Sequence, residues 1–94
     1  MFDLTNKTAV VTGGNGGIGL GIARGLAQAG ANIVLAARNV DKTVSAVREL
    51  ETFGAKAVGV TTDVTDVESI RSTISQSIDL FGGLDILVNN AGVA

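Results

Sequence analysis

Thr12-Gly13-Gly14-Asn15-Gly16-Gly17-Ile18-Gly19 follows the apolar run Ala9-Val10-Val11 and opens a segment with apolar residues at Ile18, Ile22 and Leu26. The order is strand, glycine turn, helix, which wraps main chain around a dinucleotide pyrophosphate. The spacing is Gly13-x-x-x-Gly17-x-Gly19. Gly13 is expected to make the tight turn off the strand, Gly17 to let the backbone approach the pyrophosphate, and Gly19 to let the helix pack close to the sheet. The helix N-terminus then offers free N–H groups and partial positive charge to the phosphates. A mononucleotide loop ending in Gly-Lys-Ser/Thr is ruled out, because Ile18 and Gly19 stand where it would close.

Working outward, four short apolar runs at about 8–12, 32–37, 56–61 and 84–88 read as buried parallel strands. Three segments of helical period lie between them. The first, about 17–29, places Ile18, Ile22 and Leu26 on one face and stops at Gly30. The second, about 40–53, turns Val40, Val44, Val47 and Leu50 inward, with Asn39 as N-cap and Gly54 beyond its end. The third, about 66–81, turns Val67, Ile70, Ile74, Ile78 and Phe81 inward before Gly82-Gly83. Thr65 and Glu68 fit a capping box at its start. The order β-α-β-α-β-α-β predicts an α/β fold with a parallel sheet and right-handed crossovers.

Composition narrows the function classes. The chain has 94 residues, 46% of them hydrophobic, and a net charge of −2. That length allows one small domain or half of a larger one. Its seven basic residues are scattered, which argues against a nucleic-acid surface. It holds no cysteine and no histidine, so no thiolate or imidazole metal site is expected. No apolar run approaches the ~20 residues of a membrane span, and the N-terminus lacks the pattern of a secretory signal. The expected setting is cytoplasmic.

These motifs resemble the short-chain dehydrogenase/reductase family. The residues that carry the resemblance are Thr12-Gly13-x-x-x-Gly17-Ile18-Gly19, Asp63-Val64 after the third strand, and Asn89-Asn90-Ala91-Gly92 after the fourth. It covers essentially the whole chain. It implies a Rossmann-type sheet of strand order 3-2-1-4, as the N-terminal cofactor-binding part of a doubly wound fold. It also implies a nicotinamide dinucleotide as partner, held by Gly13, Asn15, Gly16, Gly17, Ile18 and Gly19. Asp63 is expected to meet the adenine amino group, and the backbone of Val64 the ring. Asn89, Ala91 and Gly92 border the cofactor, with Asn89 nearest the adenosine ribose. Without that role, Asp63 is a turn residue ahead of the third helix and 89–92 a polar turn after a buried strand.

The choice of cofactor rests on the end of the second strand. A fingerprint for NAD wants an acid there to hold the ribose hydroxyls. This chain has Ala36-Ala37-Arg38-Asn39 instead. Arg38 suits a 2′-phosphate, so NADP is expected, with NAD as the alternative. A cation just ahead of a helix N-terminus is mildly unfavourable without an anion nearby. Family members that prefer NADP often carry a second basic residue in the glycine turn, where Asn15 and Gly16 are neutral.

The catalytic residues of the family are a Ser, a Tyr and a Lys four residues after the Tyr. The chain has no tyrosine, and its lysines lie at 7, 42 and 56. No catalytic residue is therefore assigned. The chain reads as the nucleotide-binding half of a single domain, a fragment without the catalytic half. Its opening residues look like those of sugar and sugar-acid dehydrogenases, with 3-oxoacyl-carrier-protein reductases as a rival. A non-catalytic dinucleotide-binding module is the reading from another class. A methyltransferase-type nucleotide fold is disfavoured, because it too wants an acid where Ala37 and Arg38 stand. A fourth strand left on an open edge, below a half-covered sheet face, predicts self-association.

Overall fold

The computed structural model describes residues 3–90. Four strands and three helices alternate: β1 (Thr8–Thr12), α1 (Gly17–Gln28), β2 (Asn32–Ala37), α2 (Val40–Glu51), β3 (Ala57–Thr61), α3 (Val67–Phe81) and β4 (Ile86–Asn89). The sheet is fully parallel in its three pairings, in the order β3-β2-β1-β4. The parallel sheet is the one expected from the alternation of apolar runs and helices, and its order is the Rossmann-type order that the family resemblance implied. The strands begin and end within two residues of their expected limits, β4 starting at Ile86 rather than 84.

Strand alternation divides the core into two layers. Ala9 and Val11 of β1, Ile33 and Leu35 of β2 and Ala57 of β3 face α1 and α2, where they meet Ala23, Ala27, Ala46 and Leu50. Val10, Val34, Ala36 and Val60 face the other side, against Phe81 of α3. The central strands β1 and β2 are buried on both faces, which is why they read as unbroken apolar runs.

The inward faces of the helices match the expectation in part: Leu50 is buried, and Leu26, Val47 and Phe81 pack against the core, but the other expected residues do not lead the contact. In α1 the buried residues are Gly19, Ala23 and Ala27, while Ile18 is 74% exposed and Ile22 is also exposed. In α2 they are Thr43, Ala46 and Leu50, with Val40 and Val44 outward. In α3 they are Thr73 and Ser77, with Val67 and Ile78 outward. A helix pressed close to a sheet needs small residues at the contact, so the stripe that packs is not the stripe of largest side chains. The polar members of that stripe are satisfied locally. Thr73 Oγ1 donates to Ser69 O at 3.0 Å, and Ser77 Oγ donates to Thr73 O at 2.8 Å.

The start of α3 is a second correction. Its N-cap is Asp66, whose Oδ1 accepts from Glu68 N at 3.0 Å. Thr65 is instead bound to Asp63, through its amide at 3.0 Å and its hydroxyl at 2.6 Å. The expected cap of α2 is present: Asn39 Oδ1 accepts from Lys42 N at 3.0 Å.

Candidate functional site

The C-terminal ends of β1, β2 and β3 are drawn level by backbone bonds from Gly13 N to Ala36 O (2.8 Å) and from Thr62 N to Ala37 O (3.0 Å). Above them lies a cavity of about 230 Å³ lined by Gly13, Asn15, Ala36, Ala37, Arg38, Thr62 and Val64. It stands beside β1, where the chain order of the sheet reverses, the place at which open parallel sheets take their ligands. A concavity of about 250 Å³ between α2 and β3, lined in part by Val44, Val47 and Gly59, lies on the sheet's outer flank and gathers none of the glycine turn.

The glycine turn is built as its spacing demands. Gly17 has φ +57°, a left-handed conformation, and nothing lies within 4 Å of where its side chain would project. A β-carbon on Gly19 would lie 2.4 Å from Gly13 O and 2.7 Å from Asn90 Nδ2. The helix thus presses on the turn through a position that tolerates no side chain. Gly16, the N-cap of α1, gives no side-chain cap, and the first turn of α1 contains no acid. Among the described residues nothing takes the leading N–H groups of α1, and the positive end of the helix dipole lies behind them. These features fit a phosphate.

Arg38 and Asp63 flank the same end of the sheet. Arg38 is exposed, and among the described residues no ion pair holds it. Asp63 is half-buried; its Oδ1 accepts both bonds from Thr65. The Thr65 hydroxyl, and after it the Thr65 amide, hold the Asp63 carboxyl below the usual aspartate range, with the charge of Arg38 acting in the same direction. The turn role of Asp63 is therefore present, and its second oxygen has no partner among the described residues. Val64 lines the cavity beside it.

At the end of β4 the buried Thr12 ties the strands together. Its hydroxyl lies 3.2 Å from both Val88 O and Asn89 Oδ1, and Asn90 N donates to it at 3.0 Å. Asn89 itself is exposed, and Ala91 and Gly92 lie outside the described residues. Ile18 stands exposed at the first turn of α1, and Asn39 is occupied in capping α2.

Reading the sequence alone missed three members of this neighbourhood. Asn90 Nδ2 reaches Gly13 O at 3.4 Å, and Thr43 Oγ1 accepts from Asn15 Nδ2 at 3.2 Å. Lys42, next to Thr43, extends to Gly16. Only the asparagine motif had signalled one of them; the other two depend on how α2 packs against the turn.

The family model for short chain dehydrogenases matches residues 7–94. The chain belongs to the short chain dehydrogenase family. This short chain dehydrogenase is 40% identical over 94 residues to 2-dehydro-3-deoxy-D-gluconate 5-dehydrogenase from Formosa agariphila, covering 99% of this chain and 36% of that one. It is 41% identical over 93 residues to gluconate 5-dehydrogenase from Gluconobacter oxydans, again covering 99% and 36%. Among solved structures, L-sorbose reductase from Gluconobacter frateurii, complexed with NADPH and L-sorbose, superposes with a TM-score of 0.92 at 46% identity. That match covers 98% of this chain and 35% of the reductase. The chain spans about a third of the length of the relatives it matches.

Proposed function

We propose that the chain binds NADP(H) as the cofactor-holding part of an oxidoreductase acting on a sugar or sugar acid. One observation carries this reading: a helix N-terminus with no side-chain cap and Arg38, which has no ion pair among the described residues, flank one cavity at the end of a parallel sheet. The amides of residues 17–19 would take the pyrophosphate. Arg38 would take the 2′-phosphate. Asp63 would take the adenine amino group on its free oxygen, with Val64 beside the ring. Asn15 would line the adenosine end, and the segment Asn89, Ala91 and Gly92 the cofactor's other side.

When bound, the nicotinamide supplies or accepts a hydride. This chain's residues bind and orient it. These 94 residues include no tyrosine, and none of them is assigned the proton transfer that balances hydride transfer. The sugar class is supported by the names of the relatives, two of them sugar-acid dehydrogenases and one an L-sorbose reductase.

Calorimetric titration tests the reading. NADPH is expected to bind more tightly than NADH. Arg38→Ala should weaken NADPH by about ten- to a hundred-fold, the worth of one hydrogen bond to a charged group, with little change for NADH. Folded protein that takes up neither dinucleotide would overturn the proposal.

A further inference from the structure

The ammonium of Lys42 reaches from the first turn of α2 to the glycine turn. A β-carbon on Gly16 would lie 2.7 Å from Lys42 Nζ and 2.8 Å from its Cε. The space of a side chain at position 16 is thus filled by the end of a lysine from another element. Asn15 Nδ2 donates to Thr43 Oγ1 at 3.2 Å, so two successive residues of α2 meet two successive residues of the turn. The backbone of Gly16 is extended, with φ −175° and ψ 170°, a conformation open to any residue. Its lack of a side chain leaves room for the cation and does not serve the backbone.

No carboxylate among the described residues neutralises this ammonium. Among the described residues, ion pairs join only Arg24 with Glu49 and Arg71 with Glu68. Lys42 also stands at the positive ends of two helices, in the first turn of α2 and against the N-cap of α1. A cation is disfavoured at such an end unless an anion joins it. Arg38 carries a second unpaired charge on the cavity that Asn15 also lines. Lys42 meets the turn at Gly16, next to that Asn15. Two cations near one cavity match a phosphate monoester, which carries close to two negative charges at neutral pH.

We propose that Lys42 is a specificity-determining residue of the dinucleotide site, supplying with Arg38 the positive charge that selects a 2′-phosphorylated cofactor. It does from α2 what a basic residue at position 16 would do from the turn. This rests on the reading of the chain as a binder of NADP(H).

The test compares the chain with Lys42→Met, Lys42→Gln and the double variant Gly16→Lys/Lys42→Met, each titrated with NADPH and NADH. Lys42 is exposed, so all are expected to fold, checked by thermal unfolding. Both single variants should weaken NADPH about ten-fold, the loss of one charge-assisted contact, and leave NADH unchanged. The double variant should recover most of the preference, because the new lysine fills the vacated place. Binding of both dinucleotides with an unaltered ratio in the single variants would overturn the role of Lys42 while leaving the cofactor reading intact. Loss without recovery in the double variant would assign the effect to α2 and overturn it too. Wild-type protein that binds neither dinucleotide would overturn both.

Discussion

Gly19 and Gly25 occupy the same helix, but only one of them has neighbours. A β-carbon at Gly19 meets the Gly13 carbonyl and the Asn90 amide, whereas nothing lies within 4 Å of one at Gly25. Gly19→Ala must push backbone against backbone and is expected to cost about 1–3 kcal/mol. Gly25→Ala removes an exposed helical glycine and should gain up to about 1 kcal/mol. Urea midpoints moving in opposite directions would bear this out; a Gly19→Ala protein as stable as its parent would refute the close approach. Asp63 gives a prediction in pH. Its carboxyl is held below its ordinary value of 3.8, first by the Thr65 hydroxyl and then by the Thr65 amide. A carboxylate with a lower pKa in the folded state stabilises the fold above its unfolded pKa and loses that contribution as pH falls through the folded value. The loss therefore lies below pH 3.8 for Asp63 and Asp3, and Glu49 acts in the same sense from below 4.5. Asp63→Asn should make the acid limb of stability shallower, measured by denaturation across that range; an unchanged limb would count against the Thr65 bonds. At this scale the glycines were legible because each answers a local backbone demand. Lys42 and Thr43 were not, because their partners Gly16 and Asn15 become neighbours only once the sheet and helices are assembled.

The elements are set by their ends more plainly than by their faces. Asn39 caps α2 and Asp66 caps α3, each accepting a backbone N–H from the first turn. Asn39→Ala and Asp66→Ala should each cost about 1 kcal/mol of stability, read from the shift in urea midpoint. A cost near zero for Asp66→Ala would return the capping role to Thr65. The caps could be expected from residue type, since Asn and Asp accept these bonds readily, but two acceptors one residue apart cannot be ranked without φ and ψ. The packing faces were harder to read. Large apolar residues dominate a periodic pattern, so Ile18, Ile22, Val40 and Val44 drew the inward face toward themselves. What decides the contact is how near the helix lies to the sheet. Gly19, Ala23 and Ala27 permit a close approach of α1, and Thr73 and Ser77 can join the buried stripe of α3 because each hydroxyl returns its hydrogen bond to the turn before.

For the whole molecule, the strand order β3-β2-β1-β4 puts β1 and β2 at the centre, where both faces are covered and unbroken apolar runs are needed. The glycine turn after β1 then falls where the order reverses, so one short motif locates both the centre of the sheet and the candidate site. The same order leaves β4 as the last strand. Its pairing sets Leu87 opposite Val10, yet Val10 is 1% exposed and Leu87 is 57% exposed. Cover on the α3 side of the sheet therefore thins across a single strand spacing. Next to that leucine, the outer backbone edge of β4 has no strand partner among the described residues. An apolar side chain beside a free strand edge is a template for association. The 94-residue chain should accordingly gain mass with concentration in sedimentation velocity between about 10 μM and 1 mM, the range in which exposed edges and apolar surface drive aggregation. Leu87→Lys puts a charge on that edge and should shift the onset to higher concentration. Val67→Lys, at the equally exposed start of α3, serves as the control and should leave it unchanged. Monomeric protein across the whole range, or an equal response to both substitutions, would show that β4 is not the adhesive surface.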